Sequence, residues 1–300
     1  MSWVNAAILS GIPLGIGNII DSHLLSRRIP GFRTFLLPMG TVYIIYGVVL
    51  FILFPLPEGV TLQTVLAAVI SCVLRSIGII TMLYTMKSEE VSRVVPVTNT
   101  YPIFVAIMAV LLLGENLSYL KWLAIIIVVA GAVMISIKQT PSGATEWLSK
   151  PFILLFGVSL VLAGANIISK YALAYISFWN MSSFFAVSLA CIIFLISLRP
   201  NTIRQLNNLK KRNSTIGLIA FAETLGMVTM VLVHMAIEGG PVSLVSAVIG
   251  IRPIFVVIFA LIVSRISPTF LVWQPGKGML ALRFIATAMI VGGVTIIYLT

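Results

Sequence analysis

The sequence predicts an all-α integral membrane protein with ten transmembrane helices arranged as two inverted five-helix repeats. Three observations carry that prediction. Apolar runs of about 20 residues, the length a helix needs to cross the hydrocarbon, recur along the whole chain. A block that begins at Val91 returns at Val242. The positive charges of the loops change sides between the two halves.

Composition sets the class first. Of 300 residues 60% are hydrophobic and 9% charged, with a mean hydropathy of +1.14, whereas a soluble domain carries about 25% charge. Continuous apolar runs without alternation exclude a closed barrel, so the spans are helices, whose backbone groups are satisfied internally. The apolar segments run near Trp3 to Ser22, Thr34 to Phe54, Thr61 to Met86, Val91 to Leu113 and Tyr119 to Ile137 in the first half. In the second half they run near Phe152 to Tyr171, Trp179 to Leu198, Ser214 to Ile237, Val242 to Ser264 and Met279 to Leu299. Met1-Ser2-Trp3 lacks the basic region of a signal peptide, so the first segment is expected to remain.

The 19 Lys and Arg outnumber the 8 Asp and Glu, but the excess sits between apolar segments, which points to membrane orientation and not to nucleic acid. Alternate loops divide unequally. One side holds Arg27, Arg28, Arg33, Lys87, Arg93, Lys138, Lys150, Arg199, Arg204, Lys210, Lys211, Arg212, Arg265, Lys277 and Arg283; the other has Lys121 and Lys170. Short cytoplasmic loops retain Lys and Arg, so the rich side is expected in the cytoplasm and both termini outside.

Placing Val91 over Val242, a shift of 151, makes ten of the twenty positions from Val91 to Val110 identical, including Pro102-Ile103-Phe104-Val105 over Pro253-Ile254-Phe255-Val256. Asn18-Ile19-Ile20 and Asn166-Ile167-Ile168 match in the same order, and Ala130-Gly131 resembles Gly292-Gly293. Five spans per half is an odd number, so the second half must run inverted. The loop charges agree. The first loop of the first half has three arginines and its counterpart none, while the second loop has no basic residue and its counterpart five. The expected units are residues 1–140 and 141–300.

These residues resemble the drug/metabolite transporter superfamily, and within it the EamA-type transporters with two five-helix repeats. The resemblance covers nearly the whole chain. It is strongest over Pro96 to Pro102, the exit Leu113-Gly114-Glu115-Asn116-Leu117 and the small-residue run Val129-Ala130-Gly131-Ala132-Val133; in the second half the Gly-Glu exit becomes Arg265-Ile266. It implies a cavity between the halves, alternating access, and movement of metabolites.

Ionisable residues inside a span usually face the protein interior or water, and three lie near span centres: Arg75, Glu223 and Arg252. Under the repeat shift they fall opposite Gly226, Cys72 and Tyr101, so the charges break the symmetry. The expected substrate-binding residues are Arg75, Glu223, Arg252, Tyr101, Asn99, Asn18 and Asn166. A guanidinium fork suits a carboxylate or phosphate, while Glu223 would meet a cationic group or a proton; an Arg75–Glu223 structural ion pair is the alternative. Read as a continuous helix, the ninth span puts Arg252 off the small face of Ser243, Ser246, Gly250 and Pro253.

Glu223, Met227, Met230 and His234 share a helix face, which makes Glu223 and His234 the expected proton-coupling residues. Asp21 and Lys170 lie near helix ends, where snorkelling is expected. Pro102 and Pro253 suggest paired bending points, and Pro13, Pro38 and Pro96 also interrupt spans. Gly11 and Gly15 form a GxxxG pattern that serves either packing within the chain or a dimer. Cys72 and Cys191 read as packing residues. Nothing in the sequence suggests a metal, a cofactor or a catalytic residue: there are two histidines, no HExxH or Gly-x-Ser-x-Gly, and Asp21 is the sole aspartate.

The expectation is a transporter of a small anionic or zwitterionic metabolite, an amino acid or organic phosphate, with proton coupling. Its partners would be the substrate and membrane lipids, as a monomer or homodimer in the cell membrane. A flippase for lipid or lipid-linked substrates on the same fold is the nearer rival, and a membrane-embedded enzyme the more distant one.

Overall fold

The computed structural model describes residues 1–88, 100–136, 150–209, 211–266 and 277–300. Among them every regular element is a helix: α1 (Trp3–Leu9), α2 (Gly11–Arg27), α3 (Phe32–Leu53), α4 (Leu62–Ser88), α5 (Tyr101–Leu113), α6 (Tyr119–Ser136), α7 (Lys150–Ala172), α8 (Phe178–Ser197), α9 (Pro200–Asn207), α10 (Arg212–Gly239), α11 (Val242–Ile249), α12 (Arg252–Ile266) and α13 (Lys277–Leu299). Eight helical stretches are long and apolar enough to cross a membrane, with α1–α2 and α11–α12 each counted as one; α5 and α6 are shorter apolar helices. Large apolar side chains such as Leu111, Leu195 and Phe284 stand exposed, as a lipid-facing surface requires.

Two spans are broken outright where the sequence suggested a bend or interruption, and proline explains both breaks. Proline has no N–H to bond the carbonyl four residues back. For Pro13 that residue is Leu9, the last of α1; for Pro253 it is Ile249, the last of α11. The chain restarts after Ser10 and after Gly250-Ile251. Pro102 sits second in α5 as Pro253 sits second in α12, so these matched prolines mark helix starts and not bends within helices. The exit loop after α8 contains a further helix the sequence reading left as loop, α9, opened by Pro200 at its first position and tied to α3 by the Thr34 hydroxyl donating to Gln205 Oε1 at 2.8 Å.

Contacts between helices come in corresponding sets. α3 packs on α8 and α6 on α13. α4 packs on α7 as α10 packs on α1 and α2; α5 packs on α7 as α12 packs on α2; α4 packs on α8 as α10 packs on α3. Glycine permits the closest of these approaches. A Cβ on Gly131 would lie 2.8 Å from the Ala286 carbonyl on α13, and one on Gly293 would lie 2.5 Å from Val128 on α6. Gly11 and Gly15 face the Phe255 and Phe259 rings of α12, so the GxxxG face is used inside the chain.

Candidate functional site

The two helix breaks touch each other. Arg252, the first residue of α12, donates from Nε and Nη2 to the Ser10 hydroxyl at 3.4 and 3.2 Å, so a side chain from one break reaches the other. Because the helix restarts at Arg252, the continuous-helix geometry that set it apart from the small face of α11 does not apply. Tyr101, the first residue of α5, interacts electrostatically with both Arg252 and Arg75.

Arg75, 7% exposed, donates from Nη2 to Asn166 Oδ1 on α7 at 2.5 Å. The Asn166 amide donates onward to the Ser246 hydroxyl on α11 at 3.3 Å. Arg75, Asn166 and Ser246 are thus joined by hydrogen bonds, and Arg252 is joined separately to Ser10, with Tyr101 near both arginines. Two expected members stand apart: Asn18 is exposed on α2, and Asn99 lies outside the described residues.

Glu223 is buried (4% exposed) but does not pair with Arg75; its neighbours are the Tyr43 hydroxyl on α3 and Asp21 on α2. A Cβ on Gly17 would stand 3.4 Å from the Ala222 carbonyl, so α2 and α10 touch there, and Asp21 follows one helical turn later on the same face. Asp21 does not snorkel. Its Oδ1 is enclosed without a hydrogen-bond partner.

Lys170 does not snorkel either: its ammonium donates to the carbonyls of Ile237, Glu238 and Gly240 at 2.8, 3.1 and 2.8 Å. His234 is fully buried on the α10 face that carries Glu223 and Met227, with Nδ1 2.9 Å from the Ser182 hydroxyl and Nε2 enclosed without a partner. Eleven residues of helix separate Glu223 from His234, a rise of about 16 Å, and the charged neighbour of His234 is Arg75. The spans thus hold two groups of opposite character, one built on two guanidiniums and one on two carboxyls. Their signals in the sequence were unequal: the arginines and Glu223 stood out at mid-span, whereas Asp21 read as a helix-end residue and Tyr43 had no signal.

Comparison with known proteins agrees with this architecture. Residues 1–137 match the EamA-like transporter family, of the drug/metabolite transporter superfamily, which bears out the resemblance drawn from the sequence. The class that this match and the apolar helices support is a multi-pass membrane transporter of the drug/metabolite type. A solved crystal structure, titled only as that of a protein, is similar over 99% of this chain and 97% of its own, with a TM-score of 0.72 and 13% identity, a likeness of fold alone. A search of curated proteins returns no match.

Proposed function

We propose that the chain transports a small anionic or zwitterionic metabolite, such as an amino acid or organic phosphate, by alternating access, and is not an enzyme. The carrying observation is the pair Arg75 and Arg252. Among the described residues their hydrogen-bond partners, Asn166 and Ser10, are uncharged. Two guanidiniums at mid-span without a counter-charge are costly. A bound carboxylate or phosphate supplies that charge through the bidentate geometry that arginine offers. Both arginines adjoin broken or newly begun helices, the usual construction of midplane sites in inverted-repeat transporters.

Two inverted five-helix units, residues 1–140 and 141–300, are the scaffold in this reading. The corresponding helix contacts support it, as does the register of the helix starts: α5 begins at Tyr101 and α12 at Arg252, 151 residues apart, the shift that aligns the two sequence blocks. α5 and α6, short as described, are the fourth and fifth crossings. Both termini lie outside the cell. In support, the hairpin at Gly239-Gly240, placed outside by the loop charges, packs on Trp3 at the chain's start.

Glu223, with Asp21 beside it, is the proton-coupling group. His234, whose charged neighbour is Arg75, enters coupling only through the substrate site. An open apolar groove lined by Leu62, Leu66, Ile70 and Ile168 between α4 and α7 favours a second reading, a lipid flippase.

Thermal unfolding of the purified protein against amino acids, organic phosphates, quaternary amines and lipids tests the proposal. Stabilisation by an anionic or zwitterionic solute is the expected result. Stabilisation by lipids alone replaces it with the flippase.

A further inference from the structure

The exit of α5 makes a second cross-chain attachment, remote from the arginines. Gly114, in the left-handed region at φ +67°, ends the helix and turns the chain so that Glu115 follows. Glu115 Oε1 accepts from the Val242 N–H at 2.6 Å; Oε2 accepts from the Ser243 N–H at 3.3 Å and from the Ser243 hydroxyl. Those are the first two amides of α11, whose N-cap, Pro241, has no side-chain acceptor. A carboxylate from the loop after α5 therefore supplies both the cap and the negative charge that a helix N-terminus favours.

The same hairpin is held at its other limb. Lys170 binds the carbonyls that close α10, and Glu238 Oε1 accepts from the Phe178 N–H at 3.2 Å, at the start of α8. Three charges thus fasten the α10–α11 hairpin to α5, α7 and α8. Since α11 carries Ser246 and leads directly into the break before Arg252, movement of the hairpin moves the site.

The three charged positions are not repeated in the sequence of the other half. The shift of 151 places Ile266 opposite Glu115 and Lys87 opposite Glu238; the shift of 148 that joins Asn18 to Asn166 places Ser22 opposite Lys170. Isoleucine has no acceptor, lysine reverses the sign, and serine has no charge. We propose that Glu115 is a one-sided latch, which holds the face at the α10–α11 hairpin shut in the ligand-free protein and leaves the opposite face the easier one to open. This rests on the inverted-repeat transporter reading above, and its test needs no substrate.

Full-length protein carrying Cys191→Ser keeps Cys72 as its sole thiol, buried one turn from Arg75 with Sγ donating to the Met181 carbonyl at 3.7 Å. Its alkylation by a membrane-impermeant maleimide is measured in right-side-out and inside-out vesicles. Without further substitution, labelling is faster from the face opposite Glu115. Glu115→Gln raises the rate from the Glu115 face by about tenfold, the effect of losing charged hydrogen bonds at a helix end.

Equal labelling from both faces in the parent protein overturns the latch, and so does a monodisperse Glu115→Gln protein whose labelling is unchanged.

Discussion

Arg75 on α4 donates to Asn166 on α7 at 2.5 Å, and Asn166 passes its amide to Ser246 on α11, so one relay joins three spans. Asn18, its partner in the sequence repeat, is exposed. Asn166→Ala leaves a buried guanidinium N–H unsatisfied and is expected to destabilise the protein by about 1–3 kcal/mol, whereas Asn18→Ala stays within about 0.5 kcal/mol of the parent. Denaturation of the purified protein in detergent measures both; equal effects contradict the relay.

Arg252→Lys keeps the charge next to Ser10 but loses the planar fork. The expected outcome is a folded protein whose affinity for an anionic solute falls about 10–100-fold, the range for a charged hydrogen bond. Titration of the solute against the unfolding temperature gives the ratio.

Glu223→Gln retains size and one acceptor for Tyr43 while removing the ionisable group. Transport by this variant is expected to lose its dependence on an imposed pH gradient, and Tyr43→Phe to weaken that dependence without abolishing it. Flux measured with and without the gradient tests this, and an unchanged gradient response in Glu223→Gln removes the proton role.

Gly131→Ala drives a methyl to 2.8 Å from the Ala286 carbonyl, a backbone atom that cannot rotate away, and is expected to destabilise by about 1–3 kcal/mol. Gly157, on α7, has nothing within 4 Å of the same position, so Gly157→Ala is expected to be neutral or to gain up to about 1 kcal/mol from helix propensity. Thermal unfolding of the two variants compares them.

Much of the scaffold was readable because lipid imposes a length and an apolar composition on each span: the sequence reading ended the second span at Phe54 and the helix ends at Leu53; it began the seventh at Trp179 and the helix begins at Phe178. The breaks at Ser10 and Gly250 were present in the sequence as Pro13 and Pro253, but their position needed the rule that proline deprives the residue four back of its bond. Side-chain partners were less legible. Lys170 looked like a snorkelling residue because its distance from the helix end was visible and the carbonyls of Ile237, Glu238 and Gly240, about 70 residues away, were not. Glu115 was noticed as part of a loop motif, yet its use as the cap of α11 depends on a contact 127 residues distant in sequence. Asp21 and Glu223 are neighbours only through the packing of α2 on α10, which the sequence does not display.

The most direct test of the whole account is flux in proteoliposomes of whichever anionic or zwitterionic solute stabilises the protein. The account predicts saturable flux by the parent protein, driven by a pH gradient and lost when Arg252 is replaced by Gln. Absence of solute flux together with movement of lipids between leaflets would contradict it.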